Sequence, residues 1–209
     1  MEKKETYWSH FANDFEERNY YVVGKSDVEL TLNKVASLKN LKNVLELGCG
    51  NGTYSKIVAE NANSLLSTDF SEEMVEVSKK RLERYPNIKV EKADCLDLSY
   101  TENNFDTIFM ANLIHIISNP EMAIQECKRV LKRKGTLIIM SYTQKGMKTR
   151  HKIGMIYRYL KTYGKPPTGG KNFGLNEAVE LLLGNGFHII ESELIGKKVK
   201  AFFIRAFKS

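Results

Sequence analysis

Residues 44–53 read Val44-Leu45-Glu46-Leu47-Gly48-Cys49-Gly50-Asn51-Gly52-Thr53. A short apolar run carries one carboxylate near its end and passes into three glycines at alternate positions. Apolar runs of this length bounded by glycine read as buried strands. Glycine has no Cβ, so alternating glycines let the backbone turn tightly and lie close against a ligand. Tyr54, Ile57 and Val58 follow at helical spacing, which sets the glycines at a strand-to-helix turn. Doubly wound α/β sheets bind nucleoside-bearing molecules at such turns.

The glycine spacing narrows the choice of ligand. A dinucleotide fingerprint reads G-x-G-x-x-G, with the third glycine under a pyrophosphate; here Thr53 stands in that place and the last glycine comes one residue early. Glu46, two residues before the first glycine, would repel a pyrophosphate and attract a cation. S-adenosylmethionine carries a sulfonium and an α-ammonium and no phosphate. The segment resembles the first motif, E/D-x-G-x-G-x-G, of the class I S-adenosylmethionine-dependent methyltransferases, with Glu46, Gly48, Gly50 and Gly52 in its fixed places. The resemblance implies S-adenosylmethionine as cofactor, S-adenosylhomocysteine as product, and a cofactor lying along Glu46, Gly48, Cys49, Gly50, Asn51 and Gly52. An ordinary glycine-rich loop is the competing reading, and a nicotinamide-dependent oxidoreductase is the weakest rival because of the spacing.

Composition sets wider bounds. At 209 residues and 42% hydrophobic content the chain suits a single domain, 1–209, with a sizeable core. No apolar stretch approaches the roughly 20 residues that cross a bilayer. The start, Met-Glu-Lys-Lys-Glu-Thr-Tyr-Trp, lacks the apolar region of a signal peptide. Cys49, Cys95 and Cys127 are odd in number and widely spaced, against a disulfide framework or a zinc cluster and in keeping with a reducing, cytoplasmic location. Four histidines without i, i+4 pairing give no metal-site pattern. The net charge of +7 is uneven: no Asp or Glu occurs from Gly135 through Asn176, a span holding Lys145, Lys148, Arg150, Lys152, Arg158, Lys161, Lys165 and Lys171. Such a segment is either a solvated surface or a means of attracting an anionic substrate, less readily a nucleic acid.

Strand and helix patterns alternate along the chain, which implies a mainly parallel sheet. Ser26–Lys39 reads as a helix, with Ser26 and Glu29 in a capping-box pattern. Strands are expected at Asn43–Leu47, Ser64–Thr68, Ile88–Glu91, Phe105–Ala111 and Thr136–Met140. Helices are expected from about Thr53 to Asn61, from Ser71 to Arg84, and from Pro120 to a close at Lys132-Arg133-Lys134-Gly135. A short helix follows around Ile153–Tyr163, with a loop at Gly-Lys-Pro-Pro-Thr-Gly-Gly. A last helix capped by Asn176 leads into a hairpin of Phe187–Glu191 and Ala201–Phe207. This order resembles the methyltransferase sheet over nearly the whole chain. The resemblance implies an α/β, doubly wound, mostly parallel seven-stranded Rossmann-like sheet of order 3-2-1-4-5-7-6, its last strand antiparallel, with helices on both faces.

Further motifs extend the resemblance. Asp69-Phe70-Ser71-Glu72-Glu73-Met74 is similar to the family's D-x-S-x-x-M, which implies Asp69 on the ribose hydroxyls and Phe70 and Met74 near adenine. A carboxylate can hold a diol through two directional bonds; a helix-start acid and a core methionine are the plain alternatives. Ala93-Asp94-Cys95-Leu96 stands where the family has an acid for the adenine amine, with the next backbone N–H, of Cys95, on a ring nitrogen; Asp97 is a second choice. Phe105-Asp106-Thr107-Ile108 matches F-D-x-V/I, its strand leaving at Met110 beside the expected methyl position. Leu113-Ile114-His115-Ile116 resembles a pattern of the subgroup that includes the ubiquinone and menaquinone methyltransferases. His115 is therefore the candidate base, although many such histidines only satisfy buried polar groups.

The aromatic segment from Tyr7 to Phe15, with Tyr20 and Tyr21, falls in the first 40 residues. It reads both as the packing face of a helix and as a lid of the kind related enzymes close over the cofactor. The basic stretch 143–174 reads as part of an acceptor pocket. The expectation is methyl transfer to a small-molecule oxygen, nitrogen or carbon nucleophile, with an anionic acceptor as an extension. The alternatives are a nucleic-acid methyltransferase and a non-catalytic cofactor-binding module. Ala111-Asn112-Leu113-Ile114 stands where nucleic-acid enzymes carry N/D-P-P-Y/F/W, and no Pro-Cys pair offers a nucleophile for pyrimidine carbon methylation.

Overall fold

The computed structural model describes residues 4–166 and 173–209. The expected loop after Tyr163 therefore lies partly, and Lys171 wholly, outside the described residues. Helices α1 (Lys4–Ser9), α2 (Phe15–Val23) and α3 (Lys25–Ala36) precede an alternating series. It runs β1 (Lys42–Leu47), α4 (Ser55–Ala59), β2 (Ala62–Asp69), α5 (Glu72–Leu82), β3 (Ile88–Lys92), β4 (Phe105–Ala111), α6 (Pro120–Val130) and β5 (Leu131–Thr143). Then come α7 (Thr149–Tyr163), α8 (Leu175–Gly184), β6 (Phe187–Ile195) and β7 (Lys200–Lys208). The seven strands form one sheet of order β3-β2-β1-β4-β5-β7-β6. β7 runs antiparallel to both β5 and β6, and the other pairings are parallel.

Strand alternation splits the core between the two faces. Ile108 and Met110 of β4 join Leu45, Leu47, Leu137 and Phe202 against Ile124 and Cys127 of α6 and Leu182 of α8. Phe109 and Ala111 point the other way, with Val44, Ile138, Met140 and Phe203, against Val35 and Val58. β3 is an edge strand with no fully buried residue, as its polar alternation predicts, and β4 is central and almost wholly buried.

Among the helix ends that depart from the sequence reading, three have a visible local cause. α3 is capped by Gly24, not Ser26: the N–H of Gly24 ends α2 on the carbonyl of Tyr20 and its φ of 99° starts α3 directly, so no capping box forms at Ser26. α6 stops at Val130, and Lys132–Gly135 bulges out between the Phe105–Leu131 and Thr107–Thr136 pairs of β4 and β5. The bulge is fixed by Lys132 Nζ on Asp106 Oδ2 at 2.9 Å, which makes Asp106 structural. α8 is capped at Gly174 rather than Asn176, because the Glu177 carboxylate accepts the Gly174 N–H one residue pair earlier. At α5 the expected cap is present, Ser71 Oγ accepting from Met74 N, and at α6 Asn119 stands before the expected Pro120 and accepts from Met122 N.

Candidate active site

The glycine turn follows β1 at the carboxyl edge of the sheet. Gly48, Gly50 and Gly52 adopt φ of 72°, 54° and 80°, the left-handed region that side chains resist. Neighbouring elements hold the turn. Cys49 N donates to Thr68 O at 2.9 Å, Ser78 Oγ to Gly50 O at 2.7 Å, and Gly52 N to Cys49 O at 3.0 Å. A Cβ at Gly50 would meet nothing within 4 Å, so the loop offers bare backbone to an open side; at Gly48 it would press on Leu113 at 3.0 Å. The loop after β4 therefore packs on the glycine turn.

Asp69 ends β2 and faces that turn. Its Oδ2 accepts the Gly50 N–H at 2.9 Å and its Oδ1 the Ser71 N–H at 2.9 Å. Phe70 beside it is 49% exposed, with the Lys92 ammonium 5.7 Å from its ring centre. Met74 is buried, so the apolar surface available next to Asp69 belongs to Phe70. Ala93 N donates to Asp69 O at 3.0 Å, which draws the exit of β3 alongside. There Asp94 Oδ1 caps a tight turn by accepting Leu96 N at 2.9 Å. Burial, and then the Asp94 charge, pushes the Cys95 thiol up to about 12, leaving its proton in place.

Glu46 lies beneath the turn, 1% exposed, with Oε2 accepting Ser67 Oγ at 2.7 Å. Burial raises its pKa to about 7, while the hydroxyl contacts pull it down and Asp69 pushes it further up. Asn51 is buried as well; its Oδ1 accepts from Thr53 Oγ1 at 2.8 Å and its Nδ2 has no hydrogen-bond partner among the described residues. A buried amide donor without an acceptor is uncommon and gives the loop one binding valence to spare. Cys49 is buried and its thiol pKa is raised by burial. Met110 is fully buried among the core residues of one face, and Asn112 and Leu113 after it are half-buried.

His115 stands on the loop after β4, with Nδ1 2.8 Å from Ser141 Oγ. Burial lowers its pKa to about 4, so the imidazole is neutral near pH 7. A further polar group escaped the sequence reading. Thr31 Oγ1 lies 2.9 Å from the Tyr54 hydroxyl and 3.5 Å from that of Tyr142, and Tyr142 N donates to Asn112 Oδ1 at 3.1 Å. These oxygens gather at the carboxyl ends of β4 and β5 from positions far apart in the chain, and no local pattern announces them.

The aromatic segment packs over this edge. Tyr7 OH donates to Tyr163 O at 3.0 Å, and the rings of Trp8 and Phe11 meet that of Tyr163 edge-on at 5.6 and 5.0 Å. Ser9 Oγ reaches Ser71 Oγ at 2.8 Å and Glu73 Oε2 at 2.9 Å. The segment thus touches the residue that follows the Asp69–Phe70 pair.

A seven-stranded sheet with β7 inserted between β5 and β6, a glycine turn after β1 and an acid ending β2 define the class I methyltransferase architecture. Residues 45–139 match the family described as methyltransferase domain. The demethylmenaquinone methyltransferase of Thermotoga maritima is 34% identical over 134 residues, 63% of this chain and 56% of that protein. The demethylmenaquinone methyltransferase of Clavibacter sepedonicus is 30% identical over 100 residues, 48% of this chain and 41% of that protein. The chain spans about half the length of these curated relatives. In fold it is similar to the N-methyltransferase NodS of Bradyrhizobium japonicum, solved with S-adenosylhomocysteine, at TM-score 0.74 and 15% identity over 99% of both chains.

Proposed function

We propose that this protein transfers the methyl group of S-adenosylmethionine to a small-molecule nucleophile. The observation that carries the reading is the Asp69 carboxylate docked on the Gly50 N–H at 2.9 Å, which sets an acid for a ribose diol directly over an open glycine backbone. The residues present suit the cofactor. Asp69 would hold the ribose, Phe70 the adenine face, with Asp94 and the Cys95 N–H at the adenine edge. The Asn51 amide, lacking an acceptor, suits a carboxylate, and Glu46 suits the ammonium and sulfonium end. When bound, the cofactor supplies an activated methyl donor. The chain then has to align an acceptor in line, exclude water and hold any proton released; alignment alone can supply much of the acceleration.

His115 is the proposed proton acceptor, its ring fixed by Ser141. The oxygens of Thr31, Tyr54, Tyr142 and Asn112 are proposed to line the acceptor side, with α1 and α2 as the lid and the stretch 143–174, as far as it is described, as the remaining wall. Likeness to the demethylmenaquinone methyltransferases makes demethylmenaquinone the first acceptor to try. An anionic acceptor finds less support: Lys145 pairs with Glu177, Arg158 donates to Val22 O, and Arg150 is exposed. The three free cysteines suit a reducing cytoplasm.

The test is calorimetric titration with S-adenosylhomocysteine, followed by assay of its release from S-adenosylmethionine across an acceptor panel. Binding with turnover on one acceptor supports the proposal. Absence of binding ends it, and binding without turnover on any acceptor would favour the non-catalytic module.

A further inference from the structure

α7 presents two unlike faces. Its inner side packs Met155, Tyr159 and Tyr163 on Val22, Val23, Tyr7, Trp8 and Phe11. On its outer side Ile153, Tyr157 and Leu160 are 64%, 65% and 47% exposed. Their spacings of four and three residues align them on one stripe. Arg150 and Lys161, both exposed, fall on that same side, three residues before Ile153 and four after Tyr157. Exposed Lys148 and Lys165 flank the two ends of the helix. The stretch from Gly135 through Asn176 contains no Asp or Glu to offset these charges. Single apolar residues in water are common, but three large ones aligned, with Arg150 and Lys161 alongside and no acidic residue on the helix, are the composition of a helix that lies in a membrane interface.

We propose that the outer face of α7 docks on a bilayer surface bearing anionic lipid. Ile153 and Leu160 enter the boundary between headgroups and acyl chains, Tyr157 places its ring there with the hydroxyl toward water, and Arg150, Lys161, Lys148 and Lys165 meet the headgroup charge. At 15 residues the helix is too short to span a bilayer, and no helix among the described residues is long and apolar enough to cross one; the contact lies along the surface. Two other occupants fit less well. A nucleic acid would use the cations and leave Ile153 and Leu160 without a partner. A second copy paired about a two-fold axis would set Arg150 and Lys161 against cations of the same face. The proposal stands apart from methyl transfer, since it uses only the outward side of the helix.

The test is co-sedimentation of the full chain with phosphatidylcholine vesicles and with vesicles containing about one-third phosphatidylglycerol, at low and high salt. Binding to the anionic vesicles is expected, at least about tenfold stronger than to the neutral ones and weakened by salt. Arg150→Glu with Lys161→Glu should lower it at least about tenfold. Ile153→Ser with Tyr157→Ser and Leu160→Ser should abolish it while the melting temperature holds; if that variant melts early, the charge-reversal variant alone decides. Equal binding to both vesicle types, no binding to either at low salt, or indifference to the charge reversal would overturn the proposal. So would a concentration-dependent dimer that the serine variant dissolves, which would give the face to a second copy.

Discussion

Glu46 is a carboxyl group kept almost dry, and its protonation links fold to ligand. Its folded pKa of about 7 lies above the ordinary 4.5, so the folded chain binds the proton more tightly than the unfolded one. That contribution to stability is full below about pH 4.5 and is lost as pH rises through 7, a change of about 3 kcal/mol. Glu46→Gln should flatten the fall in melting temperature between about pH 5 and 8. A cation bound beside Glu46 favours its ionised form, so cofactor binding near pH 6.5 should release a proton, read by calorimetry in buffers of different ionisation enthalpy. No proton release, or release that survives Glu46→Gln, would separate Glu46 from the cationic end. Asp69→Ala should weaken S-adenosylhomocysteine by about a hundredfold or more, because both a diol partner and the anchor on Gly50 N–H are lost; unchanged affinity would remove Asp69 from the site. His115, with its pKa depressed to about 4 by burial, should add no inflection to the turnover profile between about pH 6 and 8. His115→Ala should lower kcat at least about tenfold while cofactor affinity stays within about twofold, if the ring takes the proton.

At the scale of elements, the strand–turn–helix from β1 to α4 was legible because its instructions are local: an apolar run, an acid and three glycines within ten residues. The acid that ends β2 and the one that follows β3 were legible for the same reason. The Thr31–Tyr54–Tyr142 oxygens were not, since the fold alone brings residues 31, 54 and 142 together. The Ser26 and Asn176 caps were misplaced because a neighbouring glycine and a well-placed Glu177 offered the backbone an earlier start, a competition that residue preference does not register. Met110 sits near the end of a central strand covered on both sheet faces and is fully buried. The glycines themselves should behave differently from one another. Gly50→Ala meets open space, so it should cost about 1–2 kcal/mol of stability from its positive φ alone, yet weaken cofactor binding because the methyl enters the ligand's side. Gly52→Ala should lose more stability, since its Cβ would also press on Leu82 at 3.0 Å. Paired denaturation and binding measurements distinguish the two, and equal effects of both variants on both readouts would contradict the assignment.

For the whole molecule, the site is bounded by parts of unequal firmness. β4 is paired on both sides and buried, whereas α1 is 6 residues long and rests on α5 and α7 through the Trp8 ring edge, the Tyr7 hydroxyl and the Ser9 hydroxyl. Amide hydrogen exchange should therefore be fast in α1 and slow in β4. Adding S-adenosylhomocysteine should slow it in α1 and α2 if these helices close on the ligand, and protection confined to the glycine turn would speak against a lid. A last consequence comes from the place of β7. It is the latest strand in chain order, yet it sits inside the sheet, between β5 and β6, and the turn before it is tied back to α3 by three amides, of Lys197, Lys198 and Val199, on the Asp27 carboxylate. During synthesis the long β5 must wait with one flank bare until β7 emerges. A nascent or truncated chain lacking residues 200–208 thus exposes an apolar ladder ready to recruit other chains, so the step most open to aggregation is the insertion of this strand.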